Sequence, residues 1–224
     1  MIENFKGNML TERDVDELKL LVKPYLTDKR YSHTLCVAEE AERLGEIFLP
    51  SRITELKIAA LLHDITKKAD FEKQLHYCEI FGIINDAHHN ISPDVLHSKT
   101  AAELAKRDFA HYVNEDILNA VRYHTTGRYG MSVFEGIIYL ADYIEPSRVH
   151  NSCKTVRKEF YDRISRENDK LAVLYDTIIC TLDMTIQYLA DKNAVIDADT
   201  INARDYYLKL KTEASELKCE DNNE

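Results

Sequence analysis

The sequence predicts an all-α fold, built as one helical bundle, and three observations support this prediction. Apolar residues recur at helical spacing along almost the whole chain, and residues that cap helices recur between the apolar runs. The 224 residues include only six glycines and four prolines, which disfavours an all-β chain with many tight turns. We expect one domain over residues 1–217, with a frayed tail at residues 218–224.

The first two predicted helices precede Pro50. The first begins at Thr11 as its N-cap and ends near Asp28. Its apolar stripe consists of Val15, Leu18, Leu21 and Val22. The second runs from about Lys29 to Phe48, because a proline two residues later cannot continue a helix.

The third predicted helix ends in a His-Asp pair. Ser51 is expected to cap it, and its apolar run closes with His63 and Asp64 in the segment Ala59–Lys67. An imidazole and a carboxylate at neighbouring positions can ligate one divalent metal ion, or two ions if the carboxylate bridges them. The dipeptide alone is weak evidence, so its meaning depends on other residues of the chain.

The middle of the chain predicts four more helices. One begins after Asp70 as its N-cap and ends at Gly82, and the polar segment that follows, with His88 and His89, is interpreted as a solvated loop. The next two helices are expected to start at residues 92–94 and after Asn114. A capping box at residues 132–135 opens a strongly apolar helix through residue 144. Three further helices are predicted at residues 154–164, 171–191 and 199–217.

Composition and charge exclude several classes of protein. The net charge of −10 argues against a general nucleic-acid binder, because phosphate backbones are held by basic surfaces. The five cysteines are irregularly spaced without a CxxC pair, so neither a disulfide framework nor a cysteine zinc site is predicted. No membrane span or secretory leader is recognised, and we expect a cytoplasmic protein.

Six His and Asp residues stand where apolar helical faces would otherwise continue. They are His33, His63, Asp64, His97, His124 and Asp142. An inward histidine is either a hydrogen-bonded core residue or a metal ligand, and its position alone does not choose between them. An aspartate within an apolar stripe, such as Asp142, is costly to bury unless a metal or a basic group pairs with it.

The order H…HD…H…H…D resembles the HD superfamily of metal-dependent phosphohydrolases, and most closely its YqeK-type branch. The similar blocks are KRYSHTL at 29–35, AALLHDITK at 59–67, VLHSKTAA at 95–102, AVRYHTTGRYGMS at 120–132 and IIYLADYIEPSR at 137–148. The resemblance extends over residues 29–207. It implies an HD-domain helical bundle and symmetrical hydrolysis of diadenosine tetraphosphate to two ADP at a di-iron centre.

The resemblance also implies a role for each of the six residues. His33, His63, Asp64 and Asp142 would hold one ion, and Asp64 would bridge to a second ion held by His97 and His124. One departure is Ser98, where relatives often carry glycine, which affects the packing beside His97.

The chemistry of the six residues agrees with that assignment. Four imidazoles and two carboxylates suit iron, manganese or zinc, and two such ions would activate a water for attack on phosphorus. We expect Asp64 and Lys67 to take part in catalysis. Candidate contacts to substrate phosphates or adenine are Lys67, Lys99, Thr126, Arg128 and Arg148.

Two other classes of function stay open on the sequence alone. The same centre could serve a nucleotidase or phosphodiesterase acting on another nucleotide, since one fold hosts many activities. A nucleotide-sensing module without turnover is the third alternative, although it would more often lack one of the six residues. The expected partners are a small dinucleotide substrate and its product ADP, without nucleic acid or membrane, and a homodimer is left open.

Overall fold

The computed structural model of the chain describes residues 9–83 and 93–221, with side chains up to residue 213. Within these ranges it contains ten α-helices and no strand, which confirms the all-α prediction. The helices are α1 Glu12–Val22, α2 Asp28–Phe48, α3 Ile53–Leu62, α4 Phe71–Phe81, α5 Pro93–Asp108, α6 Glu115–Tyr123, α7 Val133–Ile144, α8 Asn151–Arg166, α9 Lys170–Asp191 and α10 Ala198–Asp221.

Most predicted caps are confirmed. The Asp70 side chain accepts a hydrogen bond from Lys73 N at the start of α4, and Gly82 ends that helix in the left-handed conformation with φ of 63°. Asn114 caps α6, and Ser132 opens α7 in a capping box. Local sequence signals therefore determine these helix ends.

The prediction that the first helix reaches Asp28 is wrong, because α1 ends at Val22. A 3₁₀ turn containing Pro24 follows, since proline lacks the N–H that a continuing α-helix needs. One residue of the predicted apolar stripe, Leu21, is exposed. The predicted cap at Ser51 is also wrong: a 3₁₀ turn at Pro50–Arg52 leads into α3, and no side chain caps that helix.

The third helix is the centre of the bundle. α3 packs against α1, α2, α5, α6 and α7, and every residue from Leu56 to Leu62 is buried. Gly45 of α2 permits a close approach to α3, since a Cβ there would lie 2.8 Å from Leu56 Cδ1. The His-Asp pair that follows α3 therefore emerges in the middle of the protein.

The C-terminal helices cover one side of this bundle. α8 packs on α7 and α9, and α10 runs along α9. α10 continues to Asp221, beyond the predicted end near Leu217, while residues 222–224 lie outside the described residues. No described helix combines the length and the apolar character that crossing a membrane requires.

Candidate metal centre

Five elements bring the six predicted residues together. α2 contributes His33, the turn after α3 contributes the His-Asp pair, α5 contributes His97, His124 follows α6, and α7 contributes Asp142. Their ligand atoms form three overlapping groups, each with all its atoms within 4.8 Å of one another. These groups are His33–His63–Asp64, His63–His124–Asp142 and Asp64–His97–His124.

The two oxygens of Asp64 face different partners. Oδ2 lies 3.3 Å from His63 Nε2 and 3.9 Å from His33 Nε2. Oδ1 lies 3.2 Å from His97 Nε2 and 3.6 Å from His124 Nε2. Asp64 thus stands between two half-sites, the arrangement that a bridging carboxylate requires.

Hydrogen bonds that Nδ1 donates orient three of the imidazoles. His63 and His124 donate from Nδ1 to the carbonyls of Ala60 and Val121, at 2.6 and 2.7 Å. His33 donates from Nδ1 to Glu145 Oε1 at 3.0 Å. Because these oxygens can only accept, Nδ1 carries a proton in each ring and Nε2 points into the centre as the metal-binding atom.

The surroundings set the charge of the centre. Burial by itself would raise the pKa of Asp64, but the surrounding imidazoles of His63, His124 and His97 hold it well below its usual range. Burial lowers the pKa of His97 to about 4, so this ring is neutral. Burial also opposes a charge on His33, yet the nearby carboxylates of Asp142 and Glu145 outweigh it and raise its pKa to about 9. A position that attracts a proton this strongly also attracts a cation.

A buried polar network holds the turn that carries the His-Asp pair. Thr66 Oγ1 donates to the carbonyl of His97 at 2.7 Å, and Gln74 Nε2 donates to the carbonyl of Thr66 at 2.7 Å. Thr100 Oγ1 lies 2.9 Å from Thr66 Oγ1 and 2.6 Å from Gln74 Oε1. The network fixes the turn against α4 and α5, and so fixes Asp64 relative to His97.

The donor set fits a divalent metal ion. His63 Nε2 is fully buried and makes no hydrogen bond within the described part of the chain, which is costly unless a metal takes its lone pair. Imidazole nitrogens and carboxylate oxygens without a thiolate suit a first-row transition metal.

Two of the predicted substrate residues touch this centre. Lys67 Nζ lies 3.2 Å from His97 Nδ1. Arg148 donates from Nη2 to Asp142 Oδ1 and from Nε to the carbonyl of the same residue, both at 2.5 Å. Their cationic groups therefore stand beside the proposed ligands.

The other three predicted contacts are engaged elsewhere. Lys99 Nζ lies 3.6 Å from Asp197 Oδ2 and 3.8 Å from Asp199 Oδ2. The fork of Arg128 is paired with Glu135, at 2.6 and 2.8 Å. The hydroxyl of Thr126 is buried and donates to the carbonyl of Gly127. Substrate contact by Lys99, Thr126 and Arg128 stays a prediction. Each side chain would have to leave its present partner to bind the substrate.

Sequence reasoning missed three residues of the centre. Arg30 Nη1 donates to Asp64 Oδ2 at 2.8 Å. Glu145 is fully buried and orients His33, while Thr125 Oγ1, rather than the hydroxyl of the next threonine, lies 3.4 Å from His97 Nε2. Helical spacing could have found the first two, since Arg30 precedes His33 by three residues and Glu145 follows Asp142 by three.

Three other histidines lie on the surface, whereas Ser98, the residue after His97, is buried. His76, His111 and His150 are exposed, whereas the predicted loop residues His88 and His89 lie outside the described residues. Ser98 is buried and its hydroxyl donates to the carbonyl of Val95 at 2.8 Å, so a serine here leaves no polar atom unpaired.

Comparison with known proteins identifies the family of this centre. The model of the HD domain matches residues 30–147, a stretch that begins at Arg30 and contains all six residues. This chain belongs to the HD domain family. Its relatives include proteins from Staphylococcus aureus and Bacillus subtilis, both described as "Bis(5'-nucleosyl)-tetraphosphatase, symmetrical".

These HD relatives match nearly end to end. The S. aureus protein is 30% identical over 87% of this chain and 94% of its own length, and the B. subtilis protein is 35% identical over 83% and 92%. A crystal structure from Clostridium acetobutylicum, described as a predicted HD superfamily hydrolase involved in NAD metabolism, superimposes with a TM-score of 0.70. It is 31% identical and aligns with 90% of this chain and 99% of that one.

Proposed function

We propose that this protein hydrolyses diadenosine tetraphosphate, and related dinucleoside tetraphosphates, at the central phosphoanhydride to give two ADP. The observation that carries the proposal is the placement of Asp64, whose two oxygens face separate pairs of imidazoles. Two cations held side by side suit a substrate whose phosphate chain carries several negative charges. The relatives described as symmetrical tetraphosphatases support the choice of substrate.

The six residues would hold two divalent ions. His33, His63 and Asp142 would share one ion with Asp64, and His97 and His124 would hold the other. We propose iron as the resident metal because the resemblance to the YqeK-type branch implies it; the four imidazoles and two carboxylates also suit manganese or zinc. When bound, such ions polarise the phosphoryl group and lower the pKa of a water.

Lys67 would bind the substrate and not a metal ion. A His97 that ligates through Nε2 carries its proton on Nδ1, and Lys67, 3.2 Å from that atom, must then turn its ammonium to another acceptor. A phosphate oxygen of the substrate is such an acceptor. Lys67 would thereby orient the phosphate under attack and offset its negative charge.

The position of the cut tests the proposal directly. Diadenosine tetraphosphate is hydrolysed in ¹⁸O-water with iron-loaded protein, and the products are separated and weighed by mass spectrometry. Water adds across the central P–O–P bond, so ADP should be the product, with one label on the β-phosphoryl of one of the two molecules. AMP plus ATP would mean an off-centre cut and would reject the assignment.

Controls separate this function from the alternatives. Release of inorganic phosphate from a mononucleotide panel, without turnover of the dinucleotide, would indicate a nucleotidase. Iron binding without turnover of any nucleotide would favour a sensing module. Asp64→Ala should abolish ADP release, because this change removes the carboxylate that faces both half-sites.

A further inference from the structure

A cleft of about 370 Å³ opens beside His33, between the start of α2 and the segment after α7. Lys29 and Arg30 line it from α2, and Arg148 and Val149 line it from the other side. Because His33 belongs to the six-residue set, a ligand in this cleft adjoins the metal centre.

The exposed surface of this cleft is cationic. Lys29, Arg30 and Arg148 all line it, whereas the carboxylate in its wall, Glu145, is fully buried and accepts hydrogen bonds from His33 and Ser147. Among the described residues, the lining of the cleft includes no Tyr, Phe or Trp side chain on which a base could stack. This composition suits phosphate groups rather than a nucleobase.

The two arginines connect the cleft to the metal centre. Arg30 donates from Nη1 to Asp64, and Arg148 donates from Nε and Nη2 to Asp142. Both side chains are one-third exposed. A guanidinium has five N–H donors, so each arginine can hold its carboxylate with one edge and offer another edge to a phosphate.

We propose that this cleft binds the phosphates of one nucleoside diphosphate half of the dinucleotide. Arg30 and Arg148 donate to the phosphate beside the metal centre, and the exposed Lys29 donates to the next one. The proposal rests on the proposed function, since that function supplies the substrate. It makes Arg30 a substrate-binding residue as well as a partner of Asp64.

The test compares ADP binding by matched charge reversals. Lys29 lines the cleft without a described contact to the six residues, so Lys29→Glu should leave the metal content unchanged. Lys73, also exposed, lines a different cleft beside Tyr77 and provides the control Lys73→Glu. Titration calorimetry with ADP and saturating Mn²⁺ should show a Kd raised roughly tenfold or more by Lys29→Glu, and within about twofold of the parent for Lys73→Glu.

A second variant addresses the arginine itself. Arg30→Lys keeps the charge but loses the planar fork, so it should weaken ADP binding severalfold while adenosine, which lacks phosphates, binds as it does to the parent. Metal content is measured in the same samples, because Arg30 contacts Asp64. Arg43→Lys, on the same helix and paired with Glu40, controls for a general effect of the exchange.

The outcomes keep this inference apart from the proposed function. Parental ADP affinity in Lys29→Glu, or a larger loss in Lys73→Glu, would overturn the cleft assignment even if the parent cleaves diadenosine tetraphosphate to ADP. A parent that forms no ADP would instead reject the proposed function, and the ADP affinities of the variants would still decide where phosphate binds.

Discussion

Replacing Glu145 by Gln should weaken metal binding at the half-site that contains His33. In the parent, Oε1 of Glu145 accepts from His33 Nδ1 at 3.0 Å and from Ser147 Oγ at 2.7 Å, while Oε2 accepts from Ser147 N at 2.5 Å. A glutamine has one oxygen and one NH₂ group. Whichever way it turns, its NH₂ group faces either the Ser147 N–H or the Nδ1–H of the imidazole.

Both orientations have a measurable cost. If the NH₂ group faces the backbone, it opposes the Ser147 N–H and breaks a hydrogen bond to a carboxylate, which destabilises the fold by about 1.5–3 kcal/mol. If it faces His33, the ring must move its proton to Nε2, the atom that would ligate the metal. Loss of a carboxylate that orients a ligating histidine reduces metal affinity by roughly 10- to 100-fold.

Titration calorimetry with Mn²⁺, together with thermal unfolding of the metal-free protein, measures both effects. Since 1 kcal/mol shifts Tm by about 2–4 °C in a chain of this size, the first orientation should lower Tm by several degrees. Glu40→Gln is the matched control: Glu40 is equally buried, but its oxygens accept from the rotatable Tyr161 hydroxyl and from Arg43, so a glutamine can turn its oxygen to the arginine and its NH₂ group to Tyr161. Two ions bound with parental affinity, at a parental Tm, would refute the reasoning for Glu145.

Three further predictions concern the centre and its surroundings. Asp64→Ala should deplete both ions in metal analysis, whereas His97→Ala should deplete mainly one; equal losses would contradict the bridging role. Arg128→Ala should lower Tm by several degrees, since it leaves the buried Glu135 carboxylate without its fork, at a cost of about 1–3 kcal/mol; an unchanged Tm would show that the pair is not structural. Gly127→Ala should also destabilise the fold in thermal unfolding, because φ is +66° and the new Cβ would lie 2.8 Å from Ala203 Cβ; a parental Tm would contradict this.

Local signals in the sequence accounted for most of the fold. A cap such as Asp70 or a stop such as Gly82 acts on its own helix, so it can be recognised without the rest of the protein. The predicted helix ends were wrong where a nearby proline changed the local backbone. Pro24 ended α1 at Val22, six residues before the predicted end at Asp28, and Pro50 with the next two residues formed a 3₁₀ turn where Ser51 had been expected to cap a helix.

The six candidate ligands could be selected from the sequence because their order along the chain resembles the HD superfamily, whereas a position on an apolar helical face did not separate a ligand from a core histidine. The orientation of these side chains depends on packing between helices: the oxygens of Asp64 face opposite half-sites, and Glu145 aligns His33. The tertiary structure also decided that Lys99 pairs with two aspartates almost a hundred residues away. Side-chain pairing of this kind depends on which residues packing brings within about 4 Å, and sequence spacing carries no information about it beyond a few helical turns.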